Sequence, residues 1–229
     1  MVNKYLISIF CCGTLLFSTQ SYAKATFSEK ICKKSGYSCL TVAQGQSWGS
    51  LFENDGQRNL VKRLNRNNTA LSPGDIIAVP EHLSRLNLMD ISPFPQKIAP
   101  QDYKQLKVNQ SQFAWGAYNK KGELVKWGPM SGGANYCSDK NRHCGTVTGE
   151  FKFHRRQGAA CVSGKYPLPT GGAPMPYCMH FYKGYALHGS KVVPGYHASK
   201  GCVRVFLDDA KWLNQDFVKL HDTRIEVTK

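Results

Sequence analysis

Leu187-His188-Gly189-Ser190, followed by Ala198-Ser199-Lys200-Gly201-Cys202-Val203-Arg204-Val205, is the stretch on which the chain's reading turns. A thiol becomes a competent nucleophile when its pKa is lowered or when a base takes its proton, and a histidine from a neighbouring strand supplies such a base. His188 is the candidate for that role and Cys202 for the nucleophile. Glycine immediately before the cysteine permits a turn that aims backbone N–H groups at a reacting carbonyl, where acyl transfer needs an oxyanion stabilised. If the chain continues as a strand, Arg204 projects to the same face as Cys202 and can grip a carboxylate. Each residue also has a bland reading: a lone cysteine packs, and an isolated strand histidine is simply hydrogen-bonded.

Outward from this stretch the pattern is of strands. Gln112 to Tyr118 and Glu123 to Met130 flank Asn119-Lys120-Lys121-Gly122, a hairpin signature. Further strand-like runs are Glu150 to His154, Cys178 to Leu187 and Arg224 to Thr228. One helix is predicted, capped by Asp208 and running from Asp209 to Leu220, with Trp212, Leu213 and Phe217 toward the core. Residues 104–229 therefore read as a mostly β domain with one C-terminal helix.

The combination of residues resembles the L,D-transpeptidase (YkuD) catalytic domain. That family's hallmark is a His-Gly pair, then Ser-His-Gly-Cys, a small apolar residue, and Arg or Asn. Here the matching residues are His188-Gly189 and Ser199, Gly201-Cys202-Val203-Arg204, supported by Ser131-Gly132-Gly133 and Thr146-Val147-Thr148-Gly149-Glu150-Phe151. Pro174 to Met179 and Val193-Pro194-Gly195 look like the branch labelled enhanced-entry proteins. The resemblance implies Cys202 as nucleophile, His188 as proton acceptor and donor, an oxyanion hole from the Gly201 and Cys202 backbone, and Ser199 holding the turn. Gly189 and Arg204 complete the substrate-binding set. It implies no metal and no organic cofactor. Two features depart from the pattern. Lys200 replaces the histidine usual two residues before the nucleophile, where its ammonium could favour the thiolate. The fourteen-residue separation of His188 from Cys202 is short, which leaves His197 as a rival base.

Residues 40–80 form a separate small unit: a strand Leu40 to Val42, a helix capped by Ser47 that buries Trp48, Leu51 and Phe52, a second helix Arg58 to Leu64, and a strand Ile76 to Val79. This β-α-α-β pattern resembles a LysM domain, a wall-glycan-binding module. The matching residues are Gly45, Trp48, Leu51, Asn65, Pro73, Gly74, Ile76 and Pro80, and Gln46 departs from the usual acidic residue. The resemblance implies glycan contacts from Gly45, Gln46, Ser47, Pro73 and Gly74. A generic β-α-α-β core needs the same apolar positions. Pro93, Pro95 and Pro100 mark residues 81–103 as a linker of limited flexibility. The expected architecture is α+β in two domains.

The 229 residues are 41% hydrophobic, and 30 Lys+Arg against 15 Asp+Glu give +15, which excludes disorder and a multi-span membrane protein and favours a polyanionic partner. Residues 1–23 read as a cleaved export signal, with a basic start, an apolar run from Tyr5 to Phe17 and Ser21-Tyr22-Ala23 at the cleavage site; an uncleaved anchor is the alternative. Removing them takes Lys4 with them and leaves +14, suited to an anionic wall. Export to the periplasm or wall, in a Gram-negative cell, argues against nucleic acid as partner, and the mature chain would not span a membrane. Seven cysteines remain. Residues 24–39 would be stapled by Cys32 and Cys39, and Cys137 with Cys144 and Cys161 with Cys178 are the economical pairings, leaving Cys202. Six cysteines allow about 15 connectivities, and a zinc site from Cys137, His143, Cys144 and Cys178 is the rival reading.

The resemblance implies acyl transfer on peptidoglycan stem peptides, with another stem, a protein lysine or water as acceptor. A wall-binding protein with a decayed catalytic domain is the competing class, motivated by Lys200. A papain-like peptidase is disfavoured because the histidine precedes the cysteine and the surrounding domain reads as β.

Overall fold

The computed structural model describes residues 26–229. The export signal expected over residues 1–23 lies outside the described residues. Among the described residues no helix is long and apolar enough to cross a membrane.

The N-terminal unit runs α1 (Phe27–Ile31), β1 (Tyr37–Thr41), α2 (Trp48–Leu51), α3 (Asp55–Leu64) and β2 (Ile76–Pro80). Ser47 caps α2 by accepting from the Ser50 N–H at 3.2 Å, as the sequence suggests. α3 begins three residues earlier than expected because Asn54 caps it, accepting from the Gln57 N–H at 3.0 Å. β1 also starts earlier, since it pairs antiparallel along the whole of β2, Tyr37 opposite Pro80 and Thr41 opposite Ile76. The segment before it is integral to the unit: Phe27 and Ile31 of α1 pack with Leu64 and Ala78. Val42, Trp48, Phe52, Val61 and Ile77 form the main core. The buried Asn65 side chain locks α3 to β2, donating to the Val61 and Ala78 carbonyls and accepting from the Ala78 N–H, each at 2.8 Å.

The segment read as a linker is a packed strap. Met89, Ile91, Phe94 and Ile98 lie against Ala114, Tyr118, Leu124 and Trp127, and the Tyr118 hydroxyl donates to the Pro95 carbonyl at 2.8 Å.

The second unit is a curled, nine-stranded sheet. Its strands are β3 (Gln105–Asn109), β4 (Ala114–Tyr118), β5 (Leu124–Ser131), β6 (Gly149–Lys152), β7 (Arg155–Arg156), β8 (Met179–Tyr182), β9 (Tyr185–Gly189), β10 (Val203–Val205) and β11 (Arg224–Thr228). The order across the sheet is β6-β11-β3-β4-β5-β10-β9-β8-β7, with β11/β3 and β10/β9 parallel. Three expectations are corrected. The run Cys178 to Leu187 is a hairpin, because Lys183 at φ +46° and Gly184 turn the chain between β8 and β9. The run Glu150 to His154 ends early, since the chain leaves β11 after Lys152 and Arg155–Arg156 pair with β8. The C-terminal helix is α4 (Leu207–Trp212) followed by a wide π-turn, Leu213–Phe217. Asp208 does not cap it. The N-cap is Phe206, which makes no side-chain capping bond. Leu213 and Phe217 are buried as expected, in a core with Leu106, Met130, Phe153, Leu187 and Ile225.

Buried polar groups join the two units. Arg63 of α3 makes a two-pronged ion pair with Asp209 of α4, at 2.8 and 2.7 Å, with both side chains all but inaccessible. Gly128 makes room for it: a Cβ there would come within 2.4 Å of the Asp209 carboxylate. Arg66 is buried, its guanidinium 4.7 Å from the Phe27 ring centre and 4.8 Å from that of Trp127, with Nε donating to the Gln112 carbonyl at 3.1 Å. Asn68 clamps the loop between β9 and β10. Its Nδ2 donates to the Ser190 carbonyl at 2.9 Å, its Oδ1 accepts from the Val193 N–H at 2.8 Å, and its own N–H donates to the Val193 carbonyl at 3.0 Å.

Candidate active site

β9 and β10 are parallel neighbours with Val203 beside Leu187, Arg204 beside His188 and Val205 beside Gly189. Residues opposite each other in register share a face, and residues two apart on a strand share it again. His188, Arg204 and Cys202 accordingly open onto one cleft of about 680 Å³. Its floor is the β8–β9–β10 sheet. Its roof is the segment from Val162 to Met175, fastened at its base by the Cys161–Cys178 disulfide. Cys202 packs against Cys161, Met175, Cys178 and Ala186.

The turn that delivers Cys202 is held from several sides. Gly201 sits at φ +125°, a conformation that disfavours a side chain, and a Cβ there would press on the Tyr185 ring at 3.0 Å. Ser199 Oγ accepts from the Gly201 N–H at 3.1 Å and donates to the Cys202 carbonyl at 2.5 Å. The hydroxyl of Thr146 donates to the Gly201 carbonyl at 2.9 Å and accepts from the Gly133 N–H at 2.8 Å. The Ser199 N–H donates to the Gly132 carbonyl at 2.9 Å. The Gly132-Gly133 and Thr146 motifs thus buttress the Cys202 turn. In this arrangement the Gly201 N–H, one of the two expected oxyanion donors, donates to Ser199 Oγ.

His188 is buried, and its Nδ1 lies 2.9 Å from the Gly189 carbonyl. A carbonyl only accepts, so Nδ1 carries the proton and Nε2 keeps its lone pair. Burial, reinforced by Arg204 and His180, draws the His188 pKa down to about 4 against the Gly189 bond. Burial raises the Cys202 thiol, opposed by a hydrogen bond from the Ala186 backbone and by the Arg204 guanidinium. At neutral pH the resting pair is therefore thiol and neutral imidazole.

Lys200 does not act on the thiol as expected. It forms an ion pair with Asp139 at the cleft rim and lies over the Tyr166 ring, so the cation that favours the thiolate is Arg204. His197, the rival base, accepts from the Gly132 N–H at 3.0 Å and packs on Phe113, centroids 4.5 Å apart, outside the set that lines the cleft. The cysteines of the rival zinc site are taken up in disulfides, Cys137 with Cys144 and Cys178 with Cys161. Cys32 is bridged to Cys39, which leaves Cys202 as the free cysteine among the described residues.

Gly45 to Ser47 and Pro73-Gly74 emerge at the same end of the β1/β2 pair, where Thr41 faces Ile76. Their polar side chains are committed locally: Gln46 Oε1 accepts from the Ala43 N–H at 2.8 Å, and Ser47 caps α2.

Sequence reasoning missed Arg155, His180 and Asn68. Arg155 lies one residue past the end of the run Glu150 to His154, and His180 lies in the run Cys178 to Leu187 read as one strand. The third lies in a different unit from the cleft it supports.

The family model of the L,D-transpeptidase catalytic domain, YkuD, matches residues 104–227. No functionally curated protein matches the sequence. Among solved structures, an L,D-transpeptidase from Xylanimonas cellulosilytica is similar over 69% of this chain and 74% of that one, with 22% identity and a TM-score of 0.51. An L,D-transpeptidase from Stackebrandtia nassauensis matches over 60% of this chain and 61% of its own, at 17% identity and a TM-score of 0.47. One from Mycobacterium smegmatis matches over 56% and 59%, at 20% identity and 0.46. The matched part spans less than two thirds of these last two chains.

Proposed function

The chain belongs to the L,D-transpeptidase (YkuD) catalytic-domain family, and on that premise we propose that it is an exported, cysteine-dependent L,D-transpeptidase acting on peptidoglycan stem peptides. The observation that carries this reading is the parallel β9/β10 seam, which sets His188 beside Arg204 and puts Cys202 on the same face of a roofed cleft.

In this reading His188 Nε2 takes the thiol proton as Cys202 Sγ attacks the carbonyl of the L-centre of the third stem residue, diaminopimelate. The Cys202 N–H, at the buttressed turn, faces the developing oxyanion. Collapse breaks the C–N bond to the terminal D-alanine, whose amine leaves with the proton from His188, and a thioester remains. An acceptor amine attacks the thioester, His188 takes its proton, and Sγ leaves as thiolate to be reprotonated. A second stem as acceptor yields a 3→3 cross-link, a protein lysine an anchored protein, and water a carboxypeptidase. Starting from a neutral pair, the base must act during attack, because little thiolate is present beforehand.

Within the same reading, the β-α-α-β unit is a LysM-like glycan binder that tethers the enzyme to its polymer through the loops at Gly45 to Ser47 and Pro73-Gly74. Three disulfides support export to the periplasm or wall of a Gram-negative cell. The Pro174 to Met179 and Val193 to Gly195 segments fit the enhanced-entry branch. Purified protein incubated with disaccharide tetrapeptide should release D-alanine, read by mass spectrometry. Absence of turnover under reducing conditions would leave the wall-binding reading, and full turnover by Cys202→Ala would remove the assigned nucleophile.

A further inference from the structure

Cationic side chains line the cleft and, among the described residues, no carboxylate does: Arg142, Arg155, Lys165, Lys200 and Arg204 face it. Lys200 is paired to Asp139, whereas Arg155 and Arg204 form no ion pair among the described residues. Arg155 sits on the outermost strand. Its neighbour Arg156 is structural, donating to the Asn214 and Val218 carbonyls at 2.5 and 3.0 Å. Arg155 instead places Nη2 2.9 Å from Nε2 of the buried His180.

A guanidinium only donates, so His180 Nε2 accepts and the ring is neutral, with its proton on Nδ1, a buried atom that has no hydrogen-bond partner among the described residues. Burial, with the charge of Arg155 and the nearby His154, draws the His180 pKa down to about 4, in keeping with that tautomer. A neutral partner orients the guanidinium without cancelling its charge.

The register then fixes where this cation lies relative to the thiol. Arg155 is opposite His180, His180 is opposite Ala186, and continuing the β9/β10 register by one step puts Cys202 beside Ala186. The four residues form one row across β7, β8, β9 and β10. Three strand spacings place the Arg155 and Cys202 Cα atoms about 14 Å apart. The arginine side chain leans back along the row to His180, covering roughly 6 Å of that span.

We infer that Arg155, held by His180, is an anion subsite that binds a free carboxylate of the acyl donor roughly 8 Å from the scissile carbonyl. The subsite rests on the transpeptidase reading above and names what that cleft selects: stems with an unamidated carboxylate at that distance. Two carboxylates of a stem peptide qualify, the side-chain carboxylate of the third residue and the α-carboxylate of a γ-linked second residue.

The test compares three disaccharide tetrapeptides: unmodified, amidated at the third residue, and amidated at the second. D-Alanine release is measured with the wild-type and Arg155→Gln proteins. Binding of the same three donors to Cys202→Ala and to Cys202→Ala/Arg155→Gln is measured by calorimetry, so that the subsite is read even if turnover is absent. One amidation should raise the wild-type KM, and the Kd in the Cys202→Ala background, about tenfold. Arg155→Gln should cause the same rise with the unmodified donor and no further rise with that amidated one. The amidation that behaves this way identifies the carboxylate. Equal weakening of all three donors by Arg155→Gln, or wild-type indifference to both amidations, would overturn the subsite. Loss of turnover with donor discrimination intact in the binding arm would refute the transferase reading and leave the subsite standing.

Discussion

Arginines at the junction of the two units and arginines in the cleft are used in opposite ways. Arg63 is gripped by the Asp209 carboxylate and Arg66 by carbonyls and two aromatic rings, all out of reach of solvent. Arg155 and Arg204 face a cavity with a neutral histidine or a thiol for company. The first pair completes its electrostatics inside the fold, so its removal should cost stability. The second leaves its electrostatics incomplete, so its removal should cost function. Charge compensation therefore separates architecture from candidate chemistry within one residue type.

The sharpest version of this contrast lies with the cleft's thiol. Cys202→Ala should abolish D-alanine release, by about a thousandfold or more, while the urea midpoint stays within about 0.5 kcal/mol of wild type. A variant that lost both would break the separation. At the junction, Asp209→Ala leaves a buried guanidinium without its counter-ion and should cost about 3–5 kcal/mol of stability by urea unfolding. Replacing both partners, as Arg63→Met with Asp209→Leu, should recover most of that loss, because desolvation of the two charges offsets much of their attraction.

The pH dependence sharpens the cleft side. The folded-state pKa of His188 lies near 4, below its ordinary 6.5, so on acidification the unfolded chain takes up the proton first. Its contribution to stability is complete above about pH 6.5 and falls away between there and about pH 4. The loss from this group is up to about 3 kcal/mol, measurable as urea midpoints across that window. The acid limb of the kcat/KM profile should likewise lie near pH 4 rather than 6.5. A limb at 6.5 would show that the imidazole is not the desolvated base described here. The smallest expected effect belongs to Asn68, which crosses the boundary between the two classes. Asn68→Ala removes two side-chain bonds to the Ser190–Val193 loop and should cost about 1–2 kcal/mol. It should also raise KM more than it lowers kcat, because Ser190 and Val192 line the cleft.

Local signals in the sequence were strong where one residue type answers one backbone demand. Gly122 at φ +77° marks the β4/β5 turn, Ser47 caps α2, and Arg224 to Thr228 alternates as β11. They failed where the competing signal came from elsewhere in the chain. Asp208 looked like a helix cap, yet Asp209 is drawn to Arg63 and the helix starts two residues before it. Residues 81–103 looked like a spacer because Pro93, Pro95 and Pro100 interrupt their periodicity. Their apolar side chains nonetheless found a surface on β4 and β5. Lys200 looked like an activator of Cys202 from two residues away, but Asp139, sixty-one positions upstream, holds it.

The chain's own order of residues determined the parts: which segments form strands, which cysteines lie close enough to bridge, and that His188, Gly201, Cys202 and Arg204 occur in a family pattern. These follow from side-chain chemistry and short-range spacing, which a linear reading contains. Only the tertiary structure decided that Arg155 and His180 share a row with Cys202, that the Gly201 amide is taken by Ser199, and that an N-terminal asparagine braces the cleft wall. Those outcomes depend on strand order and register, where a shift of one residue turns every side chain to the opposite face. Pairing between distant segments settles that register.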